Sequence, residues 1–204
     1  MRFAEPRKLR LELAVKTDEI RRKIRAWGAS LVGFSDVAEF VLPEAKPLRY
    51  AVSVAVSMNA NVTDEISSGP TFAYAAQTRR LNAVLADIAR QTSELIRSLG
   101  AATFPVAVSQ TIDHGNQKAF FPHKTAATRA GLGWVGRNAL LVTPEYGPRV
   151  RLTTVLTDYP FKPAVPFFQG HCGDCQRCRD VCPVKAMQVD GELGFLEEQL
   201  KQYG

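Results

Sequence analysis

Cysteine is absent from residues 1–171 and again from residues 183–204. The four that exist, Cys172, Cys175, Cys178 and Cys182, fall in one short run. A clustered set with none scattered elsewhere excludes a disulfide framework and points to a reducing compartment, with the cytoplasm expected. No apolar run reaches the roughly 18 residues a membrane span needs. The start, Met1 to Lys16, is charged and has no continuous apolar core, so no secretory signal is expected there. Internal repeats and low-complexity tracts are also missing. Acid is in deficit: 26 Lys+Arg stand against 20 Asp+Glu, a formal charge of +6 and a pI near 9.3. Basic residues crowd the beginning (Arg7, Lys8, Arg10, Lys16, then Arg21, Arg22, Lys23 and Arg25). The plain reading is a solvated helix face. The same charge suits an RNA or an acidic redox partner.

What remains is ordinary for a folded protein: 46% hydrophobic and 23% charged residues. The length fits one domain plus an appendage. Ile20, Ile24 and Trp27 recur at helical spacing, which predicts a helix over Thr17–Trp27, capped by Thr17 or Asp18 and closed at Gly28. Ser30–Phe34 and the alternating Arg49–Ser57 read as strands. Asn59–Pro70 reads as a polar break. A long helix is expected over Thr71–Leu99, where Leu81, Leu85, Ile88, Leu95 and Leu99 keep 3–4 spacing. Phe104–Val108 is a third strand. Ser109–Pro122 is a polar loop, and His123–Ala130 a second helix. Ala139–Thr143 and Val150–Leu156 read as strands around a turn at Pro144–Pro148. Pro160, Pro163 and Pro166 predict a stiff linker over 159–170. The expected architecture is an α+β sheet-and-helix domain over 1–160, followed by a cluster-binding module over 161–204.

The run Cys172-Gly-Asp-Cys175-Gln-Arg-Cys178-Arg-Asp-Val-Cys182-Pro183 has the C-x2-C-x2-C-x3-C-P spacing of bacterial ferredoxin-type [4Fe-4S] ligation. Thiolates are soft, anionic ligands suited to iron. Two-residue gaps wrap three sulfurs around one corner of a cluster. The longer gap turns Cys182 elsewhere, toward a second cluster in two-cluster proteins. Zinc favours two C-x2-C pairs across a longer spacer, which is not the pattern here. Three ligation schemes stand open. Cys172, Cys175 and Cys178 hold a cluster with a non-cysteine fourth ligand, for which His171 is adjacent. All four cysteines close on one cluster. Or the chain is the front part of a longer protein whose later cysteines complete two clusters, which is the expectation favoured here.

The segment Lys124-Thr-Ala-Ala-Thr-Arg-Ala-Gly-Leu-Gly-Trp134-Val-Gly-Arg-Asn138 resembles the Ala-Gly-Leu-Gly-Trp-x-Gly-Lys-Asn region of epoxyqueuosine reductases. The continuation Leu141–Asp158 resembles that family and the related reductive dehalogenases. Thr-Asp-x-Pro and then the cysteine run follow in the same order. The resemblance covers residues 120–185 and is loose over the first 110. It implies a nitroreductase-like α+β core, a double [4Fe-4S] module and a corrinoid (cobalamin) between them. It also implies an electron donor such as ferredoxin or flavodoxin, and tRNA as a partner. Within it, Gly131, Gly133 and Gly136 would admit the backbone close to a planar cofactor. Trp134 would offer a flat wall, and Arg137 and Asn138 would complete the cofactor edge. Arg137 stands where the family has lysine, keeping charge but changing donor geometry.

The family's proton-donating aspartate has no counterpart at its usual spacing. Asp113 is the only carboxylate of the loop Ser109–Lys118 and is the candidate acid, with His114 and His123 as rivals. The family's long C-terminal tRNA-binding portion is not in the sequence, which suggests a short relative. The function implied is that of an iron–sulfur oxidoreductase feeding electrons to a corrinoid or similar cofactor. The alternative is an electron-transfer protein with no substrate of its own.

Overall fold

The computed structural model describes residues 7–41, 47–67, 69–109 and 120–182. Its centre is a four-stranded antiparallel sheet, ordered β1 (Leu31–Asp36), β2 (Tyr50–Ser57), β6 (Val150–Thr157), β3 (Thr103–Val106). Strand alternation sorts its two faces. Val32, Phe34, Val52, Val54 and Val155 point to one core, with Ile20 and Ile24 of α1 (Arg7–Ala26) and Leu85, Ile88 and Ile96 of α3 (Phe72–Arg97). Each such fully buried aliphatic side chain stabilises the fold by roughly 1.5–3 kcal/mol. Thr71 caps α3, its hydroxyl accepting from the Tyr74 amide at 3.1 Å.

The opposite face is built of small residues, Gly33, Ser35, Ala51, Ser53 and Ala55, and carries α4 (His123–Arg129). A methyl group on Gly33 would lie 2.6 Å from the Ala130 carbonyl oxygen and 2.8 Å from its Cβ. The Ser35 hydroxyl bonds the Ala126 carbonyl at 3.3 Å. This floor of small side chains lets a short, alanine-rich helix lie directly on the sheet.

Most expected elements are present with shifted ends. The first helix starts at Arg7, not Thr17, because residues 7–16 contain no glycine or proline to stop it. Thr17 is therefore not a cap. Its hydroxyl donates to the Leu13 carbonyl within the helix at 2.6 Å. Three short elements lie where none was expected: α2 (Ala60–Asp64) in the polar break, β4 (Trp134–Val135), and α5 (Arg177–Asp180) in the cysteine run. β4 pairs with β5 (Leu141–Val142) as a separate hairpin. The expected third strand ends at Val106.

The Thr157-Asp158 pair has a structural task. Thr157 donates to the Ala102 carbonyl at 2.7 Å, and Asp158 accepts the Ala102 amide at 2.8 Å, which fixes the turn into β3. The proline-rich segment that follows is laid along the sheet domain. Between and just after its prolines, the amides of Lys162, Ala164 and Phe167 donate to Thr17 Oγ1 and to the Phe34 and Thr128 carbonyls at 3.2, 2.9 and 3.0 Å. Phe161 is 3% exposed and stacks on Phe34, with ring centroids 4.5 Å apart. Among the described residues no helix is long and apolar enough to cross a membrane.

Candidate cluster site and its seat

Helix α4 ends in a glycine-dependent turn. The Leu132 amide reaches back to the Ala127 carbonyl at 3.0 Å and the Gly131 amide to Thr128 at 3.1 Å, with Gly131 at φ +69°. The chain then enters the β4–β5 hairpin. Gly133, at φ +158°, runs so close to the returning strand that a Cβ would lie 2.1 Å from the Val142 carbonyl oxygen. At Gly131 the equivalent position lies 2.8 Å from the Val165 carbonyl. At Gly136 it lies 2.8 Å from both Asn138 Oδ1 and Val142 Cγ2. The open side of each glycine is taken by protein atoms. Asn138 turns inward to accept the Leu140 amide at 3.1 Å and shapes the loop. Ala139 sits at φ 58° there, and its carbonyl accepts from Lys124 Nζ at 2.7 Å. Burial holds the Lys124 ammonium below its usual range.

This hairpin carries the cysteine run. The Trp134 ring lies 5.1 Å from the His171 ring and 6.1 Å from Phe167, and Phe167 meets His171 edge-on at 5.5 Å. Gly170 passes Trp134 Cδ1 at the distance a Cβ would contact, 3.9 Å. Arg137 Nη1 donates to the Cys175 carbonyl at 3.1 Å. The Trp134 indole N–H is buried and has no acceptor among the described residues. Sequence reading placed Trp134 and Arg137 beside a cofactor, and they touch the cysteine loop itself. Phe167 had no signal of its own beyond its aromatic neighbours Phe168 and His171.

The first cysteine gap is a turn, the Cys175 amide donating to the Cys172 carbonyl at 3.0 Å with Gly173 at φ +51°. Cys178 stands on α5, and the Cys182 amide closes on the Arg179 carbonyl at 3.3 Å. None of the four cysteines is in a disulfide. Cys175 is exposed and the other three are half-buried. Four cysteines outside any disulfide on one tightly turned loop are a donor set that fits an iron–sulfur cluster. The four do not converge: among the described residues no group of three His, Cys, Asp or Glu side chains gathers as a metal site.

A second polar zone lies across the sheet, where β3 ends. His123 Nδ1 meets Thr154 Oγ1 at 2.8 Å and Nε2 meets the Ala107 carbonyl at 3.0 Å. From the other face Arg151 donates to Asn82 at 2.9 Å and to Ser109 at 3.1 Å. Asn82 and Ser109 line a cleft of about 340 Å³, with Ala86, Ala89 and Thr153. Arg151 and Asn82 carried no signal in the sequence. Asp113 and His114 lie outside the described residues.

No family model matches the chain. An epoxyqueuosine reductase of Bacillus anthracis is 35% identical over 88 residues, covering 43% of this chain and 22% of that protein. A tetrachloroethene reductive dehalogenase of Desulfitobacterium hafniense is 30% identical over 139 residues, 67% of this chain and 23% of the relative. The matched segment thus spans about a fifth of each relative's length. Among solved structures, a reductive dehalogenase described in terms of B12-dependent dehalogenation has a TM-score of 0.63 at 26% identity, over 79% of this chain and 24% of that one. An epoxyqueuosine reductase solved with a tRNA stem loop has a TM-score of 0.62 at 19% identity, over 85% and 53%. The chain is a relative of both groups, and its mixed α/β fold with an antiparallel sheet is shared with theirs.

Proposed function

We propose that this chain is the reductase core of an iron–sulfur oxidoreductase. In this reading, [4Fe-4S] chemistry at the cysteine run supplies single electrons to a corrinoid or similar cofactor bound by the sheet domain. The observation that carries it is the contact of Trp134 and Arg137 with the cysteine loop, which joins the electron-carrying module to the core that both sets of relatives share. Cys172, Cys175 and Cys178 would hold one cluster, and Cys182 that cluster or a second one. Trp134 and Phe167 exclude water from one side of the loop. Gly131, Gly133 and Gly136 keep the hairpin thin, and with Arg137 and Asn138 they form the wall between module and core. Asp113 is the proposed proton donor to the substrate. A ferredoxin or flavodoxin is the proposed electron donor, tRNA a proposed partner through the basic surface, and the cytoplasm the proposed location.

The exposure of Cys175 favours a second reading, an electron carrier docking its cluster against a partner without a substrate of its own. One preparation separates the two. Protein purified anaerobically is assayed for iron and cobalt and followed spectroscopically during addition of cobalamin. Iron with an altered cobalt spectrum supports the reductase. Iron with no corrinoid response leaves the carrier. Absence of iron in reconstituted protein refutes both.

A further inference from the structure

Arg137 is an exposed guanidinium whose one described hydrogen bond goes to a carbonyl, that of Cys175, and it has no ion-pair partner among the described residues. Its backbone sits in a hairpin loop pinned three times: by the Gly136 amide on the Leu140 carbonyl (2.9 Å), by Asn138 on the Leu140 amide (3.1 Å), and by Lys124 on the Ala139 carbonyl (2.7 Å). A cation is therefore held against the middle of the cysteine run, and among the described residues no carboxylate, Asp174 of the run included, forms an ion pair with it. A thiolate-ligated cluster is already negative, and accepting an electron makes it more so. A fixed positive charge beside it stabilises the reduced form more than the oxidised one.

We infer that Arg137 is a positioning residue that fastens the cysteine loop to the hairpin, and that its charge raises the reduction potential of the cluster. This rests on the reading of the cysteine run as an iron–sulfur site. The hairpin then acts as the electrostatic seat of the cluster, and the glycines serve to keep that seat thin. Because the guanidinium is exposed, its influence must weaken as salt screens it.

The test compares the full chain with Arg137→Lys and Arg137→Gln after anaerobic reconstitution. Iron per chain is measured, and the potential is read by dithionite titration under paramagnetic resonance, at low and at high salt. The expected result is full iron in all three, a lower potential in Arg137→Gln than in wild type and Arg137→Lys, and a gap that narrows in high salt. Loss of iron from Arg137→Gln alone also supports the role of the charge. Equal potentials at equal iron overturn the inference while leaving the cluster reading intact; equal loss of iron from both variants supports the fastening by the guanidinium and overturns the role given to its charge. Wild-type protein that takes up no iron overturns both.

Discussion

His123 shows what a buried residue's partners decide. The Ala107 carbonyl can only accept, so Nε2 carries the proton and Nδ1 accepts from the Thr154 hydroxyl. Burial is the main cause holding its pKa below the ordinary 6.5; the Ala107 bond opposes this and the Arg151 charge assists it. With both nitrogens engaged and the ring neutral, His123 is a structural brace and not a ready acid. The unfolded chain therefore binds a proton that the folded chain resists. Stability from this site is complete above pH 6.5 and declines as pH falls below it toward the lowered folded value. Urea midpoints at pH 7.5 and 5.5 should show this fall, and His123→Gln should flatten it. An unchanged slope in the variant would remove His123 as its source. A second residue-scale expectation concerns Gly133. Alanine there must displace the Val142 carbonyl backbone, so Gly133→Ala should destabilise by about 1–3 kcal/mol or more, read as a lowered urea midpoint.

At the scale of elements, the decisive piece is the segment from Tyr159 to Gly170. Its prolines read as a linker, and proline does remove donors and stiffen the backbone. What the spacing could not reveal is that the amides between and just after the prolines find acceptors on α1, β1 and α4, or that Phe161 enters the core beside Phe34. Those partners come from residues more than 30 positions away. The elements that were legible, such as α3, β2 and β6, bury a full periodic face. β5 lies within the strand expected over Ala139–Thr143, whereas its partner β4 is only two residues long and leaves no period to read. Likewise, the spacing of the cysteines is local and stands in the sequence itself, whereas the contact of Trp134 depends on His171 folding back onto it. A comparison of two phenylalanines tests the docked segment. Phe161→Ala should cost about 3–5 kcal/mol, the usual range for a buried aromatic. Phe168→Ala, at a residue 70% exposed, should cost far less. Similar midpoints for the two variants would mean that Phe161 adds nothing to the core.

For the whole molecule, the consequence is mechanical coupling between the cysteine run and the sheet. A cluster held on a free tail would stabilise only the tail. Here the loop is tied through Trp134, Phe167 and Arg137 to a hairpin that grows directly out of α4, and α4 lies on the sheet. A ligand that binds only the folded arrangement raises the stability of everything that must stay folded with it. Reconstitution with iron and sulfide should therefore raise the melting temperature of the sheet domain, followed by far-ultraviolet circular dichroism under anaerobic conditions. Trp134→Ala should abolish most of that increase while leaving iron binding in place, because it cuts the ring contacts with His171 and Phe167 but no thiolate. A melting temperature indifferent to cluster loading in the wild type would show that module and core unfold independently. The contacts of Trp134 would then be too weak to join them.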